Sequence, residues 1–134
     1  MPGPSPVHSA APARNVFVTG GTGYLGRGLI GRLLARGHRV RALVRPGSEG
    51  RLPPDAETIV GDALHGLSYA GRVAPSDTLV HLVGVSHPSP RLAQDFLRVD
   101  LASVAAAVPA AVTAGVKHFI YVSVAQPAPI MQAY

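Results

Sequence analysis

Hydrophobic positions along this chain switch repeatedly between a strand-like and a helix-like rhythm. Asn15 to Thr19 is a short apolar run with β-branched residues, and it reads as a buried strand. From Tyr24 to Arg36 the rhythm becomes helical. Leu25, Leu29, Ile30, Leu33 and Leu34 recur on one face, while Arg27, Arg32 and Arg36 face outward. Gly37 is placed to cap that helix. Gly28 and Gly31 weaken it locally, and close packing on a sheet is the expected reason for them.

The alternation continues. His38 to Val44 reads as a second strand with Val40, Ala42 and Val44 on one face, followed by the turn residues Pro46-Gly47-Ser48. After a polar, proline-bearing connection over Arg51 to Ala56, Glu57 to Val60 is a short third strand. Leu64 to Val73 is expected to be a short helix. Asp77 to Gly84 is a fourth strand. Arg91 to Gly115 is a long helical stretch with Leu92, Phe96, Val99, Val104 and Val108 on one face. Pro109 should kink or split it, and Gly115 should cap it. Lys117 to Val122 is a fifth strand. Strands that alternate with helices in this way predict an α/β domain with a parallel sheet.

The glycines at the end of the first strand carry the chemistry. Gly20, Gly23 and Gly26 fall at the spacing G-x-x-G-x-x-G, between an apolar strand and an amphipathic helix. One glycine permits the tight turn, the next lets backbone approach a pyrophosphate, and the third lets helix and strand pack closely. The helix that follows aims free N–H groups and a partial positive charge into the turn. Such a turn suits a dinucleotide phosphate, with Thr22, Tyr24 and Leu25 offering backbone N–H groups. Arg45 ends the second strand. An acid at that place would bind a ribose 2′-hydroxyl, whereas Arg pairs with a 2′-phosphate by charge-assisted bonds. NADP is therefore the preferred cofactor, with NAD the alternative.

Composition narrows the picture further. With 134 residues, 47% hydrophobic and 14% charged, the chain holds at most one domain with an ample core. It has no cysteine, so thiolate metal sites and disulfides are excluded. Its six histidines show no metal-ligand spacing, and no metal site is expected. The net charge is +5, with eight Arg between Arg14 and Arg51 against the single acid Glu49. This basic region is expected around the phosphate site and on a solvated helix face. No nucleic-acid-binding module is visible. Met1 to Arg14, rich in proline, is expected to be a disordered leader, leaving residues 15–134 as the folded domain. It lacks the pattern of a signal peptide, and no stretch reaches the ~18 apolar residues of a membrane span. A cytoplasmic location is the default expectation.

Thr19-Gly-Gly-Thr-Gly-Tyr-Leu-Gly26 resembles the T-G-x-x-G-x-x-G signature of extended and atypical short-chain dehydrogenases/reductases, including the NmrA-like and epimerase/dehydratase-like branches. The resemblance runs from Asn15 to about Ser123. It implies a doubly wound Rossmann fold with five strands in the order 3-2-1-4-5, truncated before a sixth strand and the substrate-binding half. Gly61-Asp62-Ala63 resembles the family's strand end against the adenine, where Asp62 can accept from the adenine amino group. An N-cap for the next helix is the other reading of Asp62. Asp77-Thr-Leu-Val-His-Leu-Val-Gly84 resembles the D-x-V-x-H-L-A-[AG] segment. That implies main-chain contacts from Leu82, Val83 and Gly84 to ribose and nicotinamide, and it makes His81 a buried hydrogen-bonded residue. Val85 to Pro90 would be the loop over the nicotinamide. Val99-Asp100-Leu101 resembles a segment in which an Asn or Asp supports the sheet.

In the family a Ser or Thr after strand five polarises the substrate carbonyl, and a Tyr-x-x-x-Lys pair exchanges the proton. Phe119-Ile-Tyr-Val-Ser-Val-Ala125 aligns Ser123 beside the usual catalytic position, which Val124 occupies. Tyr134 is the candidate tyrosine, with a frayed terminal residue as its other reading, and the family's Lys four positions on is not present in this sequence. The resemblance implies hydride transfer between a nicotinamide and a carbonyl or alcohol of a small-molecule substrate in the complete protein. The rival reading is a non-catalytic NAD(P)-binding redox sensor or complex-stabilising protein of the NmrA-like kind, which Val124 favours.

Overall fold

The computed structural model describes residue 3, residues 11–84 and residues 96–122. Most of the expected leader, the loop Val85 to Pro90, the start of the long helical stretch, Ser123, Val124 and Tyr134 lie outside the described residues.

Five parallel strands form one sheet: β1 (Asn15–Thr19), β2 (Arg39–Val44), β3 (Glu57–Val60), β4 (Thr78–His81) and β5 (His118–Tyr121). Their order is β3-β2-β1-β4-β5, as the sequence predicts for a doubly wound fold. Helix α1 (Tyr24–Ala35) and helix α2 (Ala102–Thr113) supply the crossovers on opposite faces. Val16, Val18, Val40, Ala42 and Val80 turn to the face where Ile30 of α1 packs. Phe17, Leu43, Ile59 and Leu79 turn to the other, against Tyr69, Val73, Ala110 and Ala111. The period-2 alternation of a strand buried on both faces explains the unbroken apolar runs.

Both helices end as the glycines predict. Gly37 has φ +84, its N–H donates to the Leu34 carbonyl at 3.0 Å, and the His38 N–H donates to Leu33 at 3.0 Å. Gly115 repeats this pattern, with Gly115 donating to Val112 and Val116 to Ala111. These are paired Schellman closures, which only a residue at ease with positive φ completes without strain.

Several expectations are corrected. Leu64 to Val73 is not an α-helix but two 3₁₀ turns, Gly66–Ser68 and Ala70–Arg72. The Ser68 hydroxyl donates to the His65 carbonyl at 2.7 Å and accepts the Asp62 N–H at 2.9 Å, so a side chain competes with helix bonding there. A Cβ on Gly66 would lie 2.9 Å from the Ala106 carbonyl oxygen, so the turn presses on α2 as a helical side chain could not. Gly28 and Gly31 do not pack on the sheet. Both are exposed, with open space where a Cβ would stand. Leu25 is 60% exposed, because α1 meets the sheet through Gly26 and Ile30, which leaves Leu25 at the open end. In α2 the inward row is Ser103, Ala107, Ala110 and Ala111, while Val108 faces out. Small residues let this helix approach closely. The helix also runs unsplit through Pro109, which is exposed, as is Ala105, whose carbonyl loses its N–H donor to the proline ring. The irregularity sits earlier, in a π-helical turn over Phe96–Leu101.

The basic stretch is also placed differently. Arg41 is held by Glu57 at 2.8 Å and donates to the Arg72 and Ala74 carbonyls. Arg14 precedes β1 and Arg39 opens β2, so these three belong to the amino-terminal half of the sheet. Among the described residues no helix is long and apolar enough to cross a membrane.

Candidate functional site: a dinucleotide cradle at the strand ends

Parallel strands bring all their carboxyl ends to one edge, and the order reverses between β1 and β4, the point at which folds of this kind take their ligands. The glycine turn fills the β1 side. Gly20 takes φ +72, and a Cβ on it would stand 2.8 Å from the Leu82 carbonyl carbon and 2.9 Å from the Val83 nitrogen. The turn therefore lies directly against the backbone leaving β4. The Leu82 N–H donates to the Thr19 carbonyl at 3.1 Å and closes the same junction. Leu82, Val83 and Gly84 lie past the end of β4 pairing, shorter than the strand expected from sequence.

Gly26 is equally constrained. Its Cβ would overlap the Gly20 carbonyl oxygen and come within 2.6 Å of the Gly21 Cα. Gly23 differs. It has φ −74, an ordinary conformation, and the nearest atom to its Cβ position is 3.5 Å away. Nothing among the described residues crowds that position, so glycine there leaves the turn open. Gly23 is also the N-cap of α1, with no side chain capping the helix and no acid in its first turn. Tyr24 is 89% exposed beside it. Thr22 is half-buried in the same turn. The open approach at Gly23 and the uncapped helix start fit a pyrophosphate.

Arg45 follows β2. The turn Arg45 to Ser48, closed by the Ser48 N–H on the Arg45 carbonyl at 3.0 Å with Gly47 at φ +90, leaves its side chain exposed. Asp62 follows β3 on the neighbouring strand end. Its Oδ1 accepts the Leu64 N–H at 2.8 Å and its Oδ2 accepts from His65 Nδ1 at 2.8 Å. These bonds, with the charges of His65 and Arg45, hold its carboxyl below the usual value. Asp62 thus closes an Asx turn rather than capping an α-helix. Ala63 is half-buried and packs on the core beside it. His65 and Ser68, which order this loop, have no signal in the sequence beyond the D-x-x-H spacing.

Beneath these strand ends lies a buried polar chain. Thr19, His81 and Ser103 are each fully buried. Thr19 Oγ1 lies 2.7 Å from His81 Nδ1, and His81 Nε2 lies 3.0 Å from Ser103 Oγ. The Ser103 hydroxyl donates to the Asp100 carbonyl at 2.9 Å. With its proton so used, Ser103 can only accept from His81, which makes the imidazole the neutral Nε2–H form with Thr19 donating to Nδ1. Burial pushes the His81 pKa down to about 4. The expected hydrogen-bonded His81 is therefore present. Its partners Thr19 and Ser103 are not marked in the sequence, because a hydroxyl in an apolar run carries no signal of what faces it. Asp100 is buried as well, with its carboxylate near Gly84.

A family model for the NAD dependent epimerase/dehydratase family matches residues 16–133. The chain belongs to this family. A 3-beta-hydroxysteroid dehydrogenase from Mycolicibacterium neoaurum is 36% identical over 112 residues, covering 79% of this chain and 31% of that protein. Epimerase Mth375 from Methanothermobacter thermautotrophicus superposes with a TM-score of 0.72 at 26% identity, over 84% of this chain and 36% of that one. A short-chain dehydrogenase/reductase superfamily protein from Agrobacterium tumefaciens, solved with bound NAD, gives 0.64 at 25% identity, over 80% and 31%. The chain spans about a third of the length of the curated relatives it matches. As a member of the epimerase/dehydratase family it is an NAD(P)-binding, oxidoreductase- or epimerase-like Rossmann domain, and its cofactor class is a nicotinamide dinucleotide.

Proposed function

We propose that residues 15–134 are the cofactor-binding part of an oxidoreductase that favours NADP over NAD. The observation that carries this is Gly23, where no described residue crowds the position of a side chain and the bare backbone lets a pyrophosphate approach. Gly20 and Gly26 shape the turn, and the N–H groups of Thr22, Tyr24 and Leu25 donate to the phosphate oxygens. Arg45 pairs with the 2′-phosphate. Asp62 and Ala63 meet the adenine, while the backbone of Leu82, Val83 and Gly84 lines the ribose and nicotinamide. When bound, the nicotinamide supplies the hydride donor or acceptor. In the whole protein the other reactant is a carbonyl or alcohol of a small molecule, with Ser123 as candidate carbonyl donor and Tyr134 as candidate proton-exchanging group. The dehydrogenase among the relatives supports an oxidoreductase over a redox sensor. A cytoplasmic location accords with this reading.

Calorimetric titration with NADPH and NADH, on the wild type and on Arg45→Asp, tests it. NADPH should bind more tightly to the wild type. The variant should lose about tenfold or more in NADPH affinity, the worth of a charge-assisted pair, and shift its preference toward NADH. A wild type that binds neither nucleotide refutes the reading of the cradle. Equal NADPH affinity in both proteins refutes the role of Arg45.

A further inference from the structure

The two backbone edges of the cradle each begin one residue after a member of the buried polar chain. Thr19 precedes Gly20, and His81 precedes Leu82. Thr19 and His81 are also register partners across β1 and β4. The third member, Ser103, sits in the first turn of α2, and its acceptor Asp100 lies beside Gly84. Three elements far apart in the chain thus meet at one imidazole. Phe119 and Tyr121 of β5 flank that ring at centroid distances of 6.4 and 5.7 Å, so it has little freedom to turn.

We infer that His81 is a positioning residue of the cofactor cradle: its Nε2–H imidazole is a strut that ties the glycine turn, through Thr19, to the start of α2, through Ser103. The inference rests on the cofactor-binding reading above, but the strut is testable without any nucleotide. Gly20 lies so close to Leu82 and Val83 that the gap between the two edges depends on a fixed separation of the strand ends. Among the described residues main-chain pairing ends at this point: beyond β4 the Leu82 N–H makes the last backbone bond joining the edges. The imidazole supplies a second tie directly below it. A hydrophobic residue of the same shape would fill the volume and make neither bond. It would also leave the Thr19 hydroxyl without its buried acceptor.

Two measurements on the 134-residue chain decide the matter. The first is ¹⁵N NMR of the imidazoles, with hydrogen exchange of the backbone amides, for the wild type, Ser103→Ala, His81→Phe and His81→Asn. His81 should show the Nε2–H tautomer. Ser103→Ala and His81→Phe should lower protection of the Leu82 amide about tenfold, while the Asp77 amide, which bonds Asn15 at the other end of the sheet at 3.0 Å, stays unchanged. His81→Asn keeps an acceptor for Thr19 and should recover part of the loss. An Nδ1–H tautomer, or protection lost equally at both ends, overturns the strut, because a general packing role would weaken the whole sheet alike. The second is NADPH titration of the same variants well below their unfolding temperatures. Affinity should fall in the order wild type, His81→Asn, His81→Phe. If the phenylalanine variant binds within twofold of the wild type, the strut does not position the cradle. If the wild type binds no nucleotide, the cofactor reading fails by itself, and the amide protection decides the strut.

Discussion

At the residue scale, identical glycines answer to different forces. Gly26 is demanded by backbone already present, since its Cβ would meet Gly20 and Gly21. Gly23 meets no such crowding among the described residues, and the proposed pyrophosphate site accounts for it. Gly26→Ala should therefore cost about 1–3 kcal/mol of stability, as overpacking against backbone does, seen as a lower urea midpoint. Gly23→Ala should leave that midpoint unchanged and weaken nucleotide binding about tenfold. Unfolding curves and titrations of the two variants check the contrast, and a Gly23→Ala protein that binds normally removes the main support for the pyrophosphate site. The spacing of these glycines was legible in the sequence. Which of them the fold crowds and which it leaves open was not, because that depends on the backbone leaving β4 and on how α1 packs back on the turn.

At the scale of the element, α1 carries two glycines that meet no contact among the described residues. Gly28 and Gly31 are exposed, with open space where a side chain would be. Each costs helix stability through backbone entropy, so Gly28→Ala with Gly31→Ala should stabilise the chain by about 1–2 kcal/mol in urea unfolding. No gain would mean that those positions are covered. The 3₁₀ segment holds the converse defect. Tyr69 is buried against Phe17, ring centroids 5.8 Å apart, and its hydroxyl has no hydrogen-bond partner among the described residues. Tyr69→Phe keeps the stack and removes an unsatisfied buried group, so it should gain about 1 kcal/mol. A loss of stability would show that the hydroxyl has a partner. Periodicity placed the strands and α1 to within a few residues. It misread Leu64 to Val73, where apolar residues at near-helical spacing met Gly66, Ser68 and Gly71, which favour tighter turns.

At the scale of the molecule, buried titratable groups set a window of pH. His81 falls from its ordinary 6.5 to about 4 in the folded chain. The unfolded chain therefore binds the proton first on acidification. The stability His81 contributes is complete above pH 6.5 and is lost as pH falls toward 4, a loss of about 3 kcal/mol. Asp62 and Asp77, held below the usual carboxylate value, add losses at still lower pH. Tyr69 is raised from 10.0 to about 12 by burial. There the unfolded chain releases its proton first, so stability falls as pH rises from 10 toward 12. Chemical denaturation across pH should give a plateau between about 6.5 and 10 with a decline on each side. His81→Gln should flatten the slope between pH 6.5 and 4, and an unchanged slope would assign that decline to other groups.

What the sequence by itself determined was local and periodic. Runs of β-branched residues, the helical recurrence of leucines and the glycines at turn positions act over a few residues, so they specify strands, helices and caps wherever the chain goes. The strand order came from the resemblance to a known family, and right-handed crossovers accord with it. Only the tertiary structure decided which surfaces meet. It made Thr19, His81 and Ser103 one hydrogen-bonded chain, sent Arg41 to Glu57 rather than to the phosphate site, and turned the small side chains of α2 inward. These outcomes depend on distances between segments far apart in the chain, where desolvation and hydrogen-bond geometry select partners that no local pattern records.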